Sequence, residues 1–471
     1  MQKNTHSAIS EKTIKKRLYD RFIKPTTEGY KDFVGVEVEI PIVNLEKKAV
    51  NFTIVHKVTA EFLEKFQQFN FNVIDHNGHA CSLIDKQTGD IVSYDCSYNN
   101  LEFSIGKETS LINVHERFKT YYQFFKETFE KYNHTLTGIG INPYRKYNKH
   151  IPIPSERYQM LYHHLCSYSK YSKLPKYFHD HPEYGMFSSA SQIQLDVEKK
   201  NLIKTINTFS KLEPLKAVIF SNSVLLEEDT NLLCCRDNFW QDSTHGINPH
   251  NIGMYETELK DLDDLIRYIE SLNIYCTMRE GYYINFPTIN IMDYFSQDRI
   301  HGEFCDKGIY DEVEFTPELD DIKYLRSFKF LDLTYRGTIE YRSACTQPIR
   351  DVMTVGAFQL GLKHNLEKLE ALLEADEVIY HHGYNATELR KLFLYRELPS
   401  FVDEDKLYAL IEQVLDLSRE GLEKRGYGEE KFLESLYERV YNHTNPAKHM
   451  LELLEDGVGL EEIIDLYGRI D

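Results

Sequence analysis

Phe33-Val34-Gly35-Val36-Glu37-Val38-Glu39-Ile40 alternates without a break. Successive side chains of a strand point to opposite faces, so Val34, Val36, Val38 and Ile40 share one face and Gly35, Glu37 and Glu39 the other. Two carboxylates at neighbouring positions on one face repel each other, and burying them unpaired is costly. Either that face is simply wet, as one side of an antiparallel sheet often is, or a cation sits between the acids. Hard divalent cations, Mg²⁺ in particular, prefer such oxygen ligands.

Three further stretches repeat the pattern. Leu101, Phe103 and Ile105 alternate with Glu102 and Ser104, and Asp95 lies just upstream. Gln192, Gln194 and Asp196 oppose Ile193, Leu195 and Val197. Thr338, Glu340 and Arg342 oppose Ile339 and Tyr341. Four carboxylates (Glu37, Glu39, Glu102, Glu340), two amides and a guanidinium, each backed by an apolar face, describe a lined cavity better than a surface. Carboxylates hold Mg²⁺, Mg²⁺ bridges nucleotide phosphates, and arginine stabilises charge on a transferring phosphoryl group. No Gly-x-x-x-x-Gly-Lys-Ser/Thr loop is present, so a carboxylate cage carried on a sheet points to ATP used through metal ions. The competing reading is four unrelated half-buried strands.

The bulk composition agrees with a folded enzyme-sized chain. Its 471 residues suffice for one large domain or two to three ordinary ones, and 33 Tyr with 27 Phe exclude disorder. A net charge of −19 excludes nonspecific grip on nucleic acid or anionic membrane, so anionic substrates must meet local cations or metals. No run approaches the ~20 apolar residues of a membrane span, and the N-terminus lacks a signal-peptide core. Eight scattered cysteines without a C-x-x-C fit reduced thiols in a cytoplasm.

Residues 1–30 are expected to form a polar helix plus linker that contributes little chemistry, and 31–471 one catalytic domain. Within that domain the pattern predicts helices over Val58–Phe69, 199–211, 213–223, 351–373, 405–425 and 429–441. It predicts a hairpin about Glu280-Gly281, a flexible loop from Gln241 to Met254 and a solvated acidic loop from Asp311 to Asp321. His76, His79 and Cys81, and His179-Asp180-His181, lack a second ligand pair at metal spacing and read as surface or structural groups. The expected class is α+β, with helices packed around a curved, largely antiparallel sheet.

GVEVE (35–39), LEF (101–103), IPIPSERYQML (151–161), SQIQLDV (191–197), Ser221-Asn222-Ser223, CRDNFW (235–240), TIEYRSA (338–344) and GLEKRGYGEEKFL (421–433) occur in that order. Together they resemble glutamate–cysteine ligase, in the plant and proteobacterial branch of the carboxylate–amine ligase superfamily, over roughly residues 30 to 450. The resemblance implies a glutamine synthetase-like catalytic domain with substrates and metals on the concave face of its sheet. It implies Glu37, Glu39, Glu102 and Glu340 as ligands of Mg²⁺ or Mn²⁺, and Gln192, Gln194 and Arg342 about the ATP. Arg236 would grip the amino-acid substrate with Trp240 beside it, Asp95 would border the substrate pocket, and Arg342, Glu340 and Arg236 would carry the catalysis. The implied partners are small molecules (ATP, glutamate, and cysteine or another amine), in a cytoplasmic monomer or homodimer. One motif departs. Where that branch has Leu-Glu-Pro-Gly-Gly-Gln, this chain has Tyr94-Asp95-Cys96-Ser97-Tyr98-Asn99-Asn100, which leaves the amine less determined than the reaction class. A ligase using a different amine, or a paralogue that senses nucleotide and amino acid without turnover, are the alternatives.

Overall fold

The computed structural model describes residues 9–27, 32–228 and 231–470. The opening alternation becomes β1 (Val34–Asn44), the central strand of a nine-stranded sheet. The others are β2 (Phe69–Ile74), β3 (Ala80–Asp85), β4 (Ile91–Tyr94), β5 (Asn100–Glu108), β6 (His134–Leu136), β7 (Ser191–Asp196), β14 (Leu331–Leu333) and β15 (Thr338–Tyr341). Their order is β14-β15-β7-β1-β5-β4-β3-β2, with β6 paired to the far end of β1, and every pairing is antiparallel. Between β7 and β14 lie β8 (Ile252–Gly253) and β13 (Phe328–Lys329), which pair in parallel. A second, four-stranded sheet there comprises β9 (Asn273–Arg279), β10 (Tyr282–Asn290), β11 (Ile300–Asp306) and β12 (Ile309–Phe315).

Alternation explains the layering. Val34, Val36, Val38 and Ile40 are fully buried, as are Phe103, Ile193 and Ile339 on the neighbouring strands. Helix Leu111–Glu130 presents Phe118 and Phe125 to Phe103, with ring centroids 5.4 and 5.7 Å apart in edge-to-face geometry, an arrangement that adds to the gain from burial. Helix Thr354–Lys363 packs beside it, Gly356 lying against Leu111 and Ile193. This helix crosses Glu404–Arg425 at Gly361 and Gly421, where a Cβ on Gly421 would lie 2.0 Å from the Gly361 carbonyl. On the opposite, polar face, helix Glu156–Cys166 and strands β9 and β10 form a roof.

Several local expectations shift. The expected helix Val58–Phe69 starts earlier, at Phe52 with Asn51 capping Thr53 N, and ends at Lys65. The two helices at 199–211 and 213–223 are one, Leu202–Phe220, with Pro214 inside it. Burial of Leu212, Leu215 and Ile219 on both sides of the proline outweighs the hydrogen bond that its ring removes. The 351–373 helix is broken at His364-Asn365 into Thr354–Lys363 and Leu366–Ala375. Residues 429–441 begin with a 3₁₀ turn, Glu429–Leu433, before helix Glu434–Tyr441. Helix Glu404–Arg425 ends as expected on Gly426, whose φ of 73° is the left-handed stop. Glu280 and Gly281, both at positive φ, turn the β9–β10 hairpin.

The acidic 311–321 stretch is not a solvated loop. Its first half is β12, and Asp321 is buried, accepting from Arg279 (2.6 and 2.8 Å) and Tyr294 (2.7 Å). The Gln241–Met254 loop is largely ordered into 3₁₀ turns and β8. Of the N-terminal segment, residues 1–8 and the 28–31 linker lie outside the described residues. Glu11–Leu18 is helical, and the turns after it bring Arg21 and Phe22 to a cavity wall. Among the described residues no helix is long and apolar enough to cross a membrane.

Candidate active site

The four alternating strands are consecutive neighbours, β15-β7-β1-β5. Register sets Glu340 opposite Gln194, Glu37 opposite Gln192, and Glu39 opposite Glu102. Antiparallel neighbours lie under 5 Å apart, so acids and amides form one continuous ledge. Gln194 spans two of the carboxylates, and Gln192 holds one. Gln194 Nε2 donates to Glu37 (3.0 Å) and Glu340 (2.9 Å), and Gln192 Nε2 donates to Glu39 (2.6 Å). Glu39 also accepts from the Ala190 N–H at 2.7 Å, and Glu102 from Ser104 Oγ at 2.7 Å. Arg342 Nη1 donates to Glu340 at 2.7 Å.

These bonds do not neutralise the ledge. Burial, then the charges of Glu340 and Glu102, push the Glu37 carboxyl up to about 8. Burial and the Asp95 charge hold Glu39 well above the ordinary carboxylate range and raise Glu102 as well. Glu37 and Glu102 keep an edge open to the cavity, so both are accessible to an ion. Among the described residues no three Asp, Glu, His or Cys side chains converge tightly enough to hold an ion by themselves. An ion there would need water and substrate phosphate oxygens to complete its shell, as Mg²⁺ commonly takes. The donor set, all oxygen and too crowded with like charge, suits a hard divalent cation.

Three connected cavities lie over the ledge. The central one, of about 770 Å³, is lined by Glu37, Glu39, Glu102, Gln192 and Asp95. A second of about 770 Å³ runs past Gly35, Gln194, Gly106, Lys107 and Gly337. A third of about 460 Å³ is cation-rich, with Arg21, Arg157, Lys323, Arg326 and Arg342 against Asp332 and Glu340. Glu340, Arg157 and Arg342 belong to both the central and the cationic cavity.

Arg236 stands behind this wall. Helix Cys235–Gln241 buries it, and it donates to the Arg342 carbonyl (2.8 Å) and the Ser343 carbonyl (3.3 Å), leaving a buried Nε–H without a partner. Arg390 braces the same carbonyl at 3.2 Å while pairing with Asp237 and Glu213 at 2.7 and 3.0 Å. Trp240 stacks on Phe328, centroids 5.8 Å apart, and Phe328 lines the cationic cavity. Asp95 reaches the central cavity and accepts from Tyr158 Oη at 3.2 Å. The unusual residues after it face inward. Cys96 adopts φ 56°, Asn99 donates to the Lys149 carbonyl (3.2 Å), and Asn100 to the Ser188 carbonyl (3.2 Å). These amide donors are spent on backbone carbonyls, and neither asparagine lines the cavities.

Of the histidine groups, His179 bonds the Phe239 carbonyl at 3.0 Å and His79 stacks on His56 at 3.8 Å. Sequence reasoning passed over Arg157, Arg326, Arg336 and Asp332. Arg157 lies inside the quoted IPIPSERYQML motif, and Asp332 sits directly opposite Glu340. Arg336 belongs to a turn, where periodicity is silent.

No family model matches the sequence. Among curated proteins the chain is 25% identical over 271 residues to glutamate–cysteine ligase A, chloroplastic, of Oryza sativa subsp. indica, covering 56% of this chain and 51% of that protein. Its relatives are glutamate–cysteine ligases. The chloroplastic enzyme of Medicago truncatula is 24% identical over 326 residues, 67% of this chain and 58% of that protein. That of Arabidopsis thaliana is 23% identical over 331 residues, 67% and 57%. The chain thus spans about half the length of the glutamate–cysteine ligases it matches. Among solved structures, glutamate–cysteine ligase from Francisella tularensis in complex with AMP aligns with a TM-score of 0.49 at 13% identity, covering 94% of this chain and 88% of that one.

Proposed function

We propose that the chain is an ATP-dependent carboxylate–amine ligase that joins the γ-carboxylate of L-glutamate to the amine of L-cysteine. The observation that carries this reading is the ledge itself: Glu340, Gln194, Glu37, Gln192, Glu39 and Glu102 on consecutive strands, with Arg342 at one end beside a cation-rich cavity. A γ-carboxylate oxygen attacks the γ-phosphorus of ATP, ADP leaves, and the resulting acyl phosphate is attacked by the amine, which loses a proton as phosphate departs. Glu37, Glu39, Glu102 and Glu340 would hold Mg²⁺ or Mn²⁺, which supplies neutralisation of phosphate charge and in-line alignment.

The chain's own residues do the rest. The cationic cavity matches a dicarboxylic amino acid, whose charges Arg157 and Arg326 can meet in a chain of net charge −19, with Arg342, paired to Glu340, towards the ATP phosphates. Arg236, holding the Arg342 and Ser343 carbonyls, fixes the backbone from which Arg342 projects. Gln194 holds Glu37 and Glu340 apart, and Gln192 orients Glu39. Fixed charges at the reacting oxygens lower the barrier without reorganisation.

The test is phosphate release from Mg-ATP with glutamate and a panel of cysteine, 2-aminobutyrate, serine and small polar amines. Cysteine is expected to lead, with Glu340→Gln at least ~100-fold slower, the scale of losing a preorganised electrostatic partner. Release only with another amine would correct the acceptor. Nucleotide binding without release under any combination would replace the ligase reading with a sensor.

A further inference from the structure

One side chain borders all three cavities. Arg336 stands exposed in the turn between β14 and β15, and lines the central, the glycine-lined and the cationic cavity alike. Its guanidinium donates from Nε (3.1 Å) and Nη2 (2.7 Å) to Gln194 Oε1, and makes a long Nη1 contact of 3.4 Å to Tyr335 Oη. These hydrogen-bond partners are an amide and a phenol, neither of them charged. The same Gln194 amide donates to Glu37 and Glu340, so one side chain ties a cation with spare donors to the two ledge carboxylates.

The turn is built to hold this arginine. Thr334 N–H bonds the Thr338 carbonyl (2.9 Å) and Gly337 N–H the Thr334 carbonyl (3.1 Å). Gly337 sits at φ 78°, and a Cβ there would come within 2.6 Å of the Pro25 backbone, so the turn is seated on the N-terminal segment. Tyr335 carries the Arg336 guanidinium at 5.2 Å from its ring centroid and that of Arg21 at 4.9 Å, a favourable placement for both.

We propose that Arg336 grips the polyphosphate chain of the nucleoside triphosphate, with Gln194 holding its guanidinium in position. This rests on the ligase reading above. The chemistry favours phosphate over a substrate carboxylate because Arg336 stands where the glycine-lined cavity meets Glu37, and carboxylates there share a magnesium ion with phosphate oxygens. A guanidinium fork matches two phosphate oxygens at once, which an ammonium does not.

The test is calorimetric titration of wild type, Arg336→Gln and Arg336→Lys with Mg-ADP and with AMP, without amino acids, together with KM for glutamate in turnover. Arg336→Gln should weaken Mg-ADP by about 10- to 100-fold, the loss of one charge-assisted hydrogen-bond site. Arg336→Lys should fall between, while AMP, lacking the outer phosphate, and the glutamate KM should change less than ~3-fold. Arg336 is exposed on a turn, so the variants should melt with the wild type; if Arg336→Gln does not, Arg336→Lys carries the comparison. Unchanged Mg-ADP affinity, equal loss for AMP and Mg-ADP, or a loss confined to glutamate overturns the assignment and leaves the ligase reading standing. A wild type with no affinity for nucleotide overturns both.

Discussion

Replacing Glu37 by Gln should stabilise the protein in the absence of metal and destroy its response to metal. The carboxyl that titrates near 8 rather than 4.5 does so because burial and the charges of Glu340 and Glu102 oppose its ionisation. At 1.36 kcal/mol per pKa unit this opposition is worth at most ~5 kcal/mol once the group is fully ionised. The sign follows from proton counting. Between pH 4.5 and about 8 the folded state keeps a proton that the unfolded chain has released, so stability falls as pH rises through that window. The uncharged, isosteric Gln removes this dependence. Its gain over wild type should be near zero below pH 4.5 and largest above pH 8, about 1–3 kcal/mol after the site relaxes and admits water. Urea unfolding at pH 6, 7 and 8.5 in chelator measures it. Adding Mg²⁺ at pH 8.5 should raise the wild-type midpoint, since a ligand that binds only the folded state stabilises it, and should leave Glu37→Gln unmoved. A Glu37→Gln protein that is less stable than wild type at pH 8.5 in chelator, or whose gain does not vary with pH, would refute the argument that the ledge is held under electrostatic strain.

Arg236→Lys keeps the charge but cannot reach both the Arg342 and Ser343 carbonyls as a fork. It should raise the KM for glutamate by ~10-fold or more and leave that for ATP within about 3-fold; equal losses would count against an amino-acid role. Gly421→Ala sets helix propensity against packing. Propensity alone favours Ala by ~1 kcal/mol, but the new Cβ would lie 2.0 Å from the Gly361 carbonyl, so the variant should lose ~1–3 kcal/mol in urea unfolding. A more stable Gly421→Ala would show that the two helices can part without cost.

The ledge was legible because alternation is local: each of the four strands carries its own period of two, and the polar face of each could be read alone. Their adjacency was not, since register and strand order depend on contacts far apart in sequence. Gln194 illustrates the gap. Its face could be read, but its partners Glu37, Glu340, Thr338 and Arg336 come from two other strands and a turn. Arg336 and Asp321 escaped for a related reason. A turn has no periodicity, and a run of acids reads as solvated until Arg279 from the β9–β10 hairpin and Tyr294 from the helix Ile291–Ser296 bury one of them. Leu202–Phe220 shows tertiary burial overruling a proline break. The segment at Tyr94–Asn100 read as polar and needing partners, and the Asn99 and Asn100 amide donors find them on the Lys149 and Ser188 carbonyls, far away in sequence.

The ladder that spaces the ledge also restricts how such a chain can diverge. Replacing a side chain on β5, β1, β7 or β15 changes one group, whereas deleting one residue between Val34 and Glu39 would reverse the facing of everything beyond it. Glu37 or Glu39 would then point at Phe103 and the helix Leu111–Glu130, and a valine would take its place over the cavity. What lineages can inherit through heavy substitution is therefore the parity of residue number between the acids. Only about a quarter of the aligned positions are shared with the plant proteins, a level at which most side chains have been exchanged. Length changes should then gather in the connections, such as the one from β4 to β5, and be excluded from the strands. A one-codon deletion inside any of these strands, compensated by an insertion a few codons later, would be tolerated by the composition of the chain and not by its chemistry.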